Sequence, residues 1–303
     1  MLTSFGALAP IFVVIALGAV IRARGFDPPG FWTGAETVAY RLLFPPLLFL
    51  TTARAELEGF VVLPLAAALI GAIGLTGGAT FLLRRALDVG PAAFTSVFQG
   101  AIRCNTYVAI AAASALWGEA GLTVMGIVAF VAVSTVNIAS IVVLIAAQGG
   151  PLRPRQLAWP VVGNPLIQGC VLGFAWNALG FPLPGVVEAS LEVLARGSLP
   201  LALLCVGAGL NLGALGHRPR ALIATSALKL LALPLATAVL CRLFGVDGLT
   251  LAGAVLFTSA PVAASAFVLA RQLGGDAPLL ASLITITTIA AALTMPLAIA
   301  AVT

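Results

Sequence analysis

The chain is built almost wholly of apolar runs, each the length of a membrane crossing. A span needs roughly 20 apolar residues to cross the hydrocarbon core. About ten such runs follow one another, at 3–22, 34–52, 61–83, 93–115, 121–147, 157–179, 186–211, 219–241, 249–271 and 277–302. Charged residues make up only 8% of the chain, against about 25% in an ordinary soluble domain. That is too little polar surface to face water all round, so much of the surface faces lipid. The connections are short, with Gly, Pro and Arg at the seams, as in "RARGFDPPG", "RRALDVGP", "QGGPLRPRQ" and "GHRPR". No linker is long enough to separate an extramembrane domain. The expected fold class is an all-α integral membrane protein of ten transmembrane helices.

The basic residues orient these spans. A cleaved signal carries its positive charges before the apolar run. Here Arg22 and Arg24 follow it, so the first run is expected to remain as a helix with its N-terminus extracytoplasmic. Ten spans then place the C-terminus on the same side. The inside loops hold Arg22, Arg24, Arg84, Arg85, Arg153, Arg155, Arg218, Arg220 and Arg271, and the outside loops only Arg54 and Arg242. This positive-inside bias accounts for the net charge of +5 without a nucleic-acid partner. Cys104, Cys170, Cys205 and Cys241 lie singly inside spans, and His217 stands alone in a loop. They form neither a disulfide framework nor a metal constellation, and no cofactor is expected.

Shifted by 155 residues, prolines fall on prolines: Pro10 on Pro165, Pro29 on Pro184, Pro45 on Pro200 and Pro64 on Pro219. Gly18 falls on Gly173, Arg41 on Arg196, and "GFDPPG" on "GFPLPG". Beyond the fourth span the offset drifts to 157, where Arg85 meets Arg242 and "EAGL" meets "DAPL". The chain therefore reads as a first five-helix repeat (1–147), a cytoplasmic linker (148–156) and a second repeat (157–303). Five is odd, so the second copy enters the membrane inverted. Inverted repeats are typical of secondary transporters, whose sites lie near the midplane where discontinuous helices meet.

Spans four and nine occupy equivalent places, and both carry breaks. In "FTSAPVAASAFVLARQ", Pro261 removes a backbone donor and is expected to begin a new half-helix, with Ser259 or Ala260 at its cap. In "QGAIRCNTYVA", Gly100 loosens the backbone and Asn105 is a good cap for a half-helix beginning at Thr106. Two half-helix N-termini would then point at one centre, an anion site made of backbone. Arg103 adds a full charge beside it.

Each of these residues has a plainer reading. Arg103 contacts cargo, or it pairs with a carbonyl or carboxylate and locks two helices; a central Arg costs roughly 2.5–3.5 kcal/mol on insertion scales, so it is rarely idle. Lys229, deep in span eight, binds free carbonyls in the place of an ion, or it snorkels. Asn164 and Gln168, flanking Pro165, line the cargo path or hydrogen-bond between helices. Asn137 in span five reads the same way. Arg41 and Arg196 are symmetric gating residues or interfacial anchors. Acidic residues are missing from the breaks: Asp88, Glu119, Asp247 and Asp276 lie at span ends or in loops, and Glu36 and Glu192 in spans two and seven. A positive core favours anionic cargo over a cation.

At these residues the chain resembles the auxin efflux carrier family, the PIN-like transporters and their bacterial relatives. "GNPLIQGCVLGF" (163–174) and "SAPVAASAFVLARQLGGDAPLLASLITITTIAAALTMPL" (259–297) carry the resemblance, with support from "FPPLLFL" (44–50) and "FQGAIRCNTYVAI" (98–110). The resemblance implies two inverted five-helix repeats with helices four and nine crossed, as in bile-acid and sodium–proton transporters. It implies a scaffold of helices one, two, six and seven, and a moving transport domain of helices three to five and eight to ten. It further implies a small organic anion as cargo, such as malonate, malate or an auxin-like acid, and a homodimer. The family places asparagine and proline at the crossover, and Asn105 and Pro261 match. Cys104 stands where plant carriers have the first proline, and Val262 where they have the second asparagine. The short loop at 148–156 lacks the long insert of the large plant carriers, which points to a bacterial inner membrane. The substrate-binding set is therefore Asn105, Arg103, Thr106, Pro261, Ser259 and Val262, with Lys229, Asn164, Gln168, Gln99 and Asn137 along the pathway or as ion surrogates. A sodium-coupled bile-acid-type symporter is the alternative, for which Thr258, Ser259 and Gln99 are the available oxygen donors. An intramembrane enzyme is the distant one, because no acid pair, nucleophile–base pair or metal set is evident.

Overall fold

The structure, a computed structural model, describes residues 2–25, 27–55, 62–151, 153–214 and 218–303. Val61, where the third expected span begins, and His217 lie outside the described residues. Helix accounts for nearly all of what is described, and among the described residues no strand forms.

The helices are α1 (Leu2–Arg24), α2 (Phe31–Val38), α3 (Phe44–Ala53), α4 (Val62–Leu87), α5 (Pro91–Ile102), α6 (Thr106–Ala147), α7 (Pro154–Val162), α8 (Pro165–Leu179), α9 (Gly185–Ala208), α10 (Pro219–Ala227), α11 (Leu233–Leu243), α12 (Gly248–Ser259), α13 (Ser265–Gln272) and α14 (Ala277–Ala300). A π-helical turn, Ala39–Leu43, joins α2 to α3, and another, Leu228–Ala232, joins α10 to α11. Proline stands in the first turn of α5, α7, α8, α10 and α14. Its missing N–H is there one of the helix's unpaired donors, so it starts these helices without cost.

Among the described residues six helical runs are long and apolar enough to cross a membrane: Ser4–Arg24, Val62–Leu87, Thr106–Ala147, Gly185–Ala208, Pro219–Leu243 and Ala277–Ala300. Taking α7 and α8 as one span bent by 66° gives seven. The remaining expected spans are divided. The run at 34–52 falls on α2, the π turn and α3. The run at 93–115 falls on α5 and the start of α6, and the run at 249–271 on α12 and α13. Conversely, α6 is longer than any bilayer requires: 42 residues would reach about 63 Å at 1.5 Å per residue. Gly118, at φ 58° and ψ −135°, interrupts it. That conformation is closed to L side chains, and it separates 106–117 from 119–147.

Packing follows the small residues. α1 runs along α9, where Gly18 meets the Leu204 backbone and Gly207 meets the Ile15 carbonyl, neither with room for a Cβ. α3 runs along α8, where Gly169 meets Pro45 and Gly173 meets the Phe49 carbonyl and Thr52. Close backbone approach of this kind is how helices associate where water supplies no driving force. The large side chains left outside, among them Val13, Leu63, Leu82, Leu172, Val186 and Leu235, are more than half exposed and form a greasy outer surface suited to lipid. The inner cluster gathers around α3, α5, α6 and α12, the helices that surround the two central breaks.

Candidate functional site

The two breaks meet. α5 ends at Ile102, and Arg103 leaves it in an extended conformation at φ −81° and ψ 123°. α12 ends at Ser259, and Ala260 is likewise extended at φ −61° and ψ 150°. Between the unwound segments, Cys104 and Val262 form an isolated antiparallel bridge. The Asn105 N–H donates to the Pro261 carbonyl at 2.8 Å, and the Val262 N–H donates to Thr287 Oγ1 of α14 at 3.1 Å. Val262, Cys104 and Asn105 are all buried. Non-helical backbone at membrane depth must have its polar groups satisfied by protein or by a wet cavity. Here the Asn105 and Val262 N–H groups are satisfied by the facing segment and by α14.

Asn105 is the cap expected of it. Its Oδ1 accepts from the N–H groups of Tyr107 at 3.1 Å and Val108 at 3.3 Å, opening α6 at Thr106. That cap consumes two of the free donors at this helix start. The α6 N-terminus is therefore largely closed, whereas the sequence pictured it open to cargo.

Pro261 departs from its expected place. It does not begin a half-helix; residues 260–264 are non-helical and α13 begins at Ser265. The reason lies in the bridge. Val262 is held extended against Cys104, so helix cannot resume until the chain has cleared the crossing. The cap is Ala264, which offers no side-chain oxygen. Ser259, the other expected cap, turns its hydroxyl back onto the Leu256 carbonyl at 2.9 Å within α12. The N–H groups of Ala263, Ala264 and Ser265 find no acceptor among the described residues. Ser265 is exposed and the two alanines half-buried, so these donors are reachable.

Arg103 faces this open helix start. Its Nη2 donates to Ser265 Oγ at 3.1 Å, while Nε and Nη1 are buried without a partner. The residue is 7% exposed. Among the described residues no aspartate or glutamate is buried, so the guanidinium is unpaired by any interior carboxylate. On the other side of Cys104 lies Lys229, fully buried in the π turn between α10 and α11. Its Nζ donates to the Thr258 carbonyl at 2.7 Å and to Cys104 Sγ at 3.2 Å. Of its two sequence readings, it takes the carbonyl-binding one and does not snorkel. Gln99, one turn before Arg103, is fully buried with both amide atoms unpartnered.

The other pathway candidates lie elsewhere. Asn164 caps α8, accepting from the Leu166 N–H at 2.9 Å and the Ile167 N–H at 3.4 Å. Gln168 donates from Nε2 to the Val162 carbonyl at 2.9 Å, and together they secure the α7–α8 bend. Asn137 donates to the Pro160 carbonyl at 3.3 Å, joining α6 to α7. Gln168 also lines an open groove of about 670 Å³ with Tyr40, Arg41, Pro45, Phe49 and Trp159. Tyr107, just past the cap, stacks on Phe44 of α3 with ring centroids 4.5 Å apart. Ser265 and Thr287 are the residues sequence reasoning missed. Serines and threonines are common in apolar helices, and only their contacts set these two apart. Among the described residues no group of metal-ligating side chains forms.

A multi-pass helical membrane protein with an interior crossing of two unwound segments, flanked by buried cations, is thus defined. Residues 3–299 match the family described as Membrane transport protein. The chain belongs to this family, the auxin efflux carriers that its sequence resembles, and is a membrane transporter. It is also similar to a protein of Methanothermobacter thermautotrophicus named "Uncharacterized transporter", 26% identical over 290 residues that cover 95% of this chain and 94% of the relative.

Proposed function

We propose that the protein is a secondary carrier of a small organic anion, a mono- or dicarboxylate such as malonate, malate or an auxin-like acid. The observation that carries this reading is the Arg103 guanidinium, buried, missing partners for two of its nitrogens, and facing a helix start with three free N–H groups. A carboxylate supplies the oxygens these donors lack, and charge-assisted bonds of this kind are strong. Asn105, Thr106, Pro261 and Val262 shape the floor of the site through backbone contacts. Ser259 is used inside its own helix and drops to a supporting part.

The finer architecture we propose is ten spans in two inverted repeats, working as an elevator. Two contacts support it. Gly18 against Leu204 becomes Gly173 against Phe49 under the 155-residue shift. Ile15 against Gly207 becomes Cys170 against Thr52, whose hydroxyl bonds the Cys170 carbonyl. In this reading α1, the α2–α3 helix, α7–α8 and α9 form the scaffold, and the remaining helices carry the crossover. Tyr107 on Phe44 is then a contact between the moving part and the scaffold, and the groove beside Tyr40 and Gln168 is part of the path. The home membrane is a bacterial inner membrane, the termini are extracytoplasmic, and the carrier is a homodimer.

The test is flux into proteoliposomes with labelled malonate, malate and indole-3-acetate, with and without ion gradients. Saturable uptake of one acid, with its apparent affinity weakened roughly ten- to a hundredfold in Arg103→Gln, is the expected result. Uptake of every acid at the rate of empty liposomes would refute the assignment.

A further inference from the structure

We propose that Lys229 is the proton-coupling residue of this carrier, taking up a proton when an anion binds at the crossover and releasing it when the anion leaves. The substrate part of this rests on the carboxylate reading above.

Three independent features place the amine. First, a π turn carries it: Leu228–Ala232 widens the α10–α11 helix where Lys229 points inward, and such bulges cluster at functional positions. Second, its main acceptor is a helix end. The Thr258 carbonyl lies in the last turn of α12, and the Val262 N–H is diverted to Thr287 Oγ1. That carbonyl end carries the negative pole of the helix. Third, its only other acceptor among the described residues is the Cys104 thiol, next to Arg103. An ammonium has three donors, and two are met.

Among the described residues no fixed negative charge balances it. The π turn packs against α4, α5, α10, α11, α12 and α14. α5, α12 and α14 contain no ionisable side chain. α4 has only Arg84 and Arg85 in its last turn, α10 only Arg220 in its first, and α11 only Cys241 and Arg242 at its far end. Asp276, the cap of α14, bonds Arg218 at 3.0 Å. Among the described residues Cys104 is thus the one titratable group that touches Lys229, with Arg103 beyond it. Two unbalanced cations at this depth are costly. A carboxylate arriving at Arg103 removes that imbalance, so anion binding and proton binding favour one another, and the coupling is reciprocal. The transfer balances simply: the neutral amine plus one proton from water gives the ammonium, and the reverse step returns both. Thr225 Oγ1, Ser226 Oγ and both Gln99 amide atoms, on turns adjoining Lys229 and Cys104, are buried without partners. Unmet polar atoms of this kind are where buried water resides, and water is what delivers the proton.

The experiment is proton uptake by the purified full chain in weakly buffered detergent with a pH indicator, on addition of sodium malonate, malate or indole-3-acetate. Binding is followed in parallel by tryptophan fluorescence. The wild type is expected to take up about one proton per anion bound, and Lys229→Met and Lys229→Arg to take up none. Anion binding by the wild type without proton uptake overturns the coupling and leaves the carrier reading intact. If none of the acids binds, the carrier reading fails, and the amine is tested without ligand. The wild-type thermal midpoint should then change with pH, and Lys229→Met should flatten that profile. Identical profiles overturn the proposal outright.

Discussion

The backbone N–H of Asn105 donates to the carbonyl of Pro261 across 2.8 Å, joining residues 156 positions apart in the chain. Around this bond both interrupted helices become one unit, since Asn105 also caps α6 and Val262 is held by α14. The unwound segments are therefore fixed in place rather than loose, and substitutions around them have separable effects.

Arg103 should govern affinity. A hydrogen bond to a charged group contributes about 1.5–3 kcal/mol, so Arg103→Gln should weaken carboxylate binding by roughly ten- to a hundredfold. Arg103→Lys should restore part of it, because a point charge replaces a planar fork. Ser265→Ala, which removes only the partner of Nη2, should cost less than Arg103→Gln. Binding measured on purified variants checks the order.

Asn105 separates capping from charge. Asn105→Ala should lower stability by about 1 kcal/mol through the lost cap. Asn105→Asp keeps a good cap but sets a negative charge facing the anion. It should melt near the wild type and yet fail to transport. Thermal unfolding alongside flux distinguishes the two.

Thr287 should act at a distance from cargo. Thr287→Val keeps the shape and leaves the buried Val262 N–H without its acceptor, at about 1–3 kcal/mol. Thr287→Ser should restore both stability and transport. A Val variant as stable as the wild type would mean that the bridge does not depend on this hydroxyl.

The paired glycines test the repeat. Gly18→Ala and Gly173→Ala each drive a Cβ into a facing carbonyl, and overpacking of this kind costs about 1–3 kcal/mol. The two midpoints should fall by similar amounts. Gly74→Ala, on α4 with open space around it, should be neutral or raise stability through helix propensity.

Much of this site is legible in the residues themselves. Asn105 before Thr106 is a cap by chemistry alone, and the isolated charge of Arg103 in an apolar run announces an interior role. The match of Gly18 to Gly173 under the 155-residue shift is visible before any contact is seen. Pro261 shows where such reading stops. Its ring breaks the helix as expected, but where helix resumes is decided by the bridge of Val262 to Cys104, 158 positions away. The same holds for Lys229, whose choice between snorkelling and burial depends on a carbonyl freed by Thr287. The interruption of α6 is legible as well, since Gly118 falls in the gap between the apolar runs at 93–115 and 121–147.

A last consequence follows from Arg103 having no interior carboxylate as partner among the described residues. An elementary charge crossing a whole membrane exchanges about 2.3 kcal/mol per 100 mV with the electric field, and one lodged midway exchanges about half of that. Vesicles held at zero voltage therefore leave out a force that an energised cell applies continuously to this guanidinium. Turnover recorded under a potassium diffusion potential of either sign is the rate that describes the protein at work.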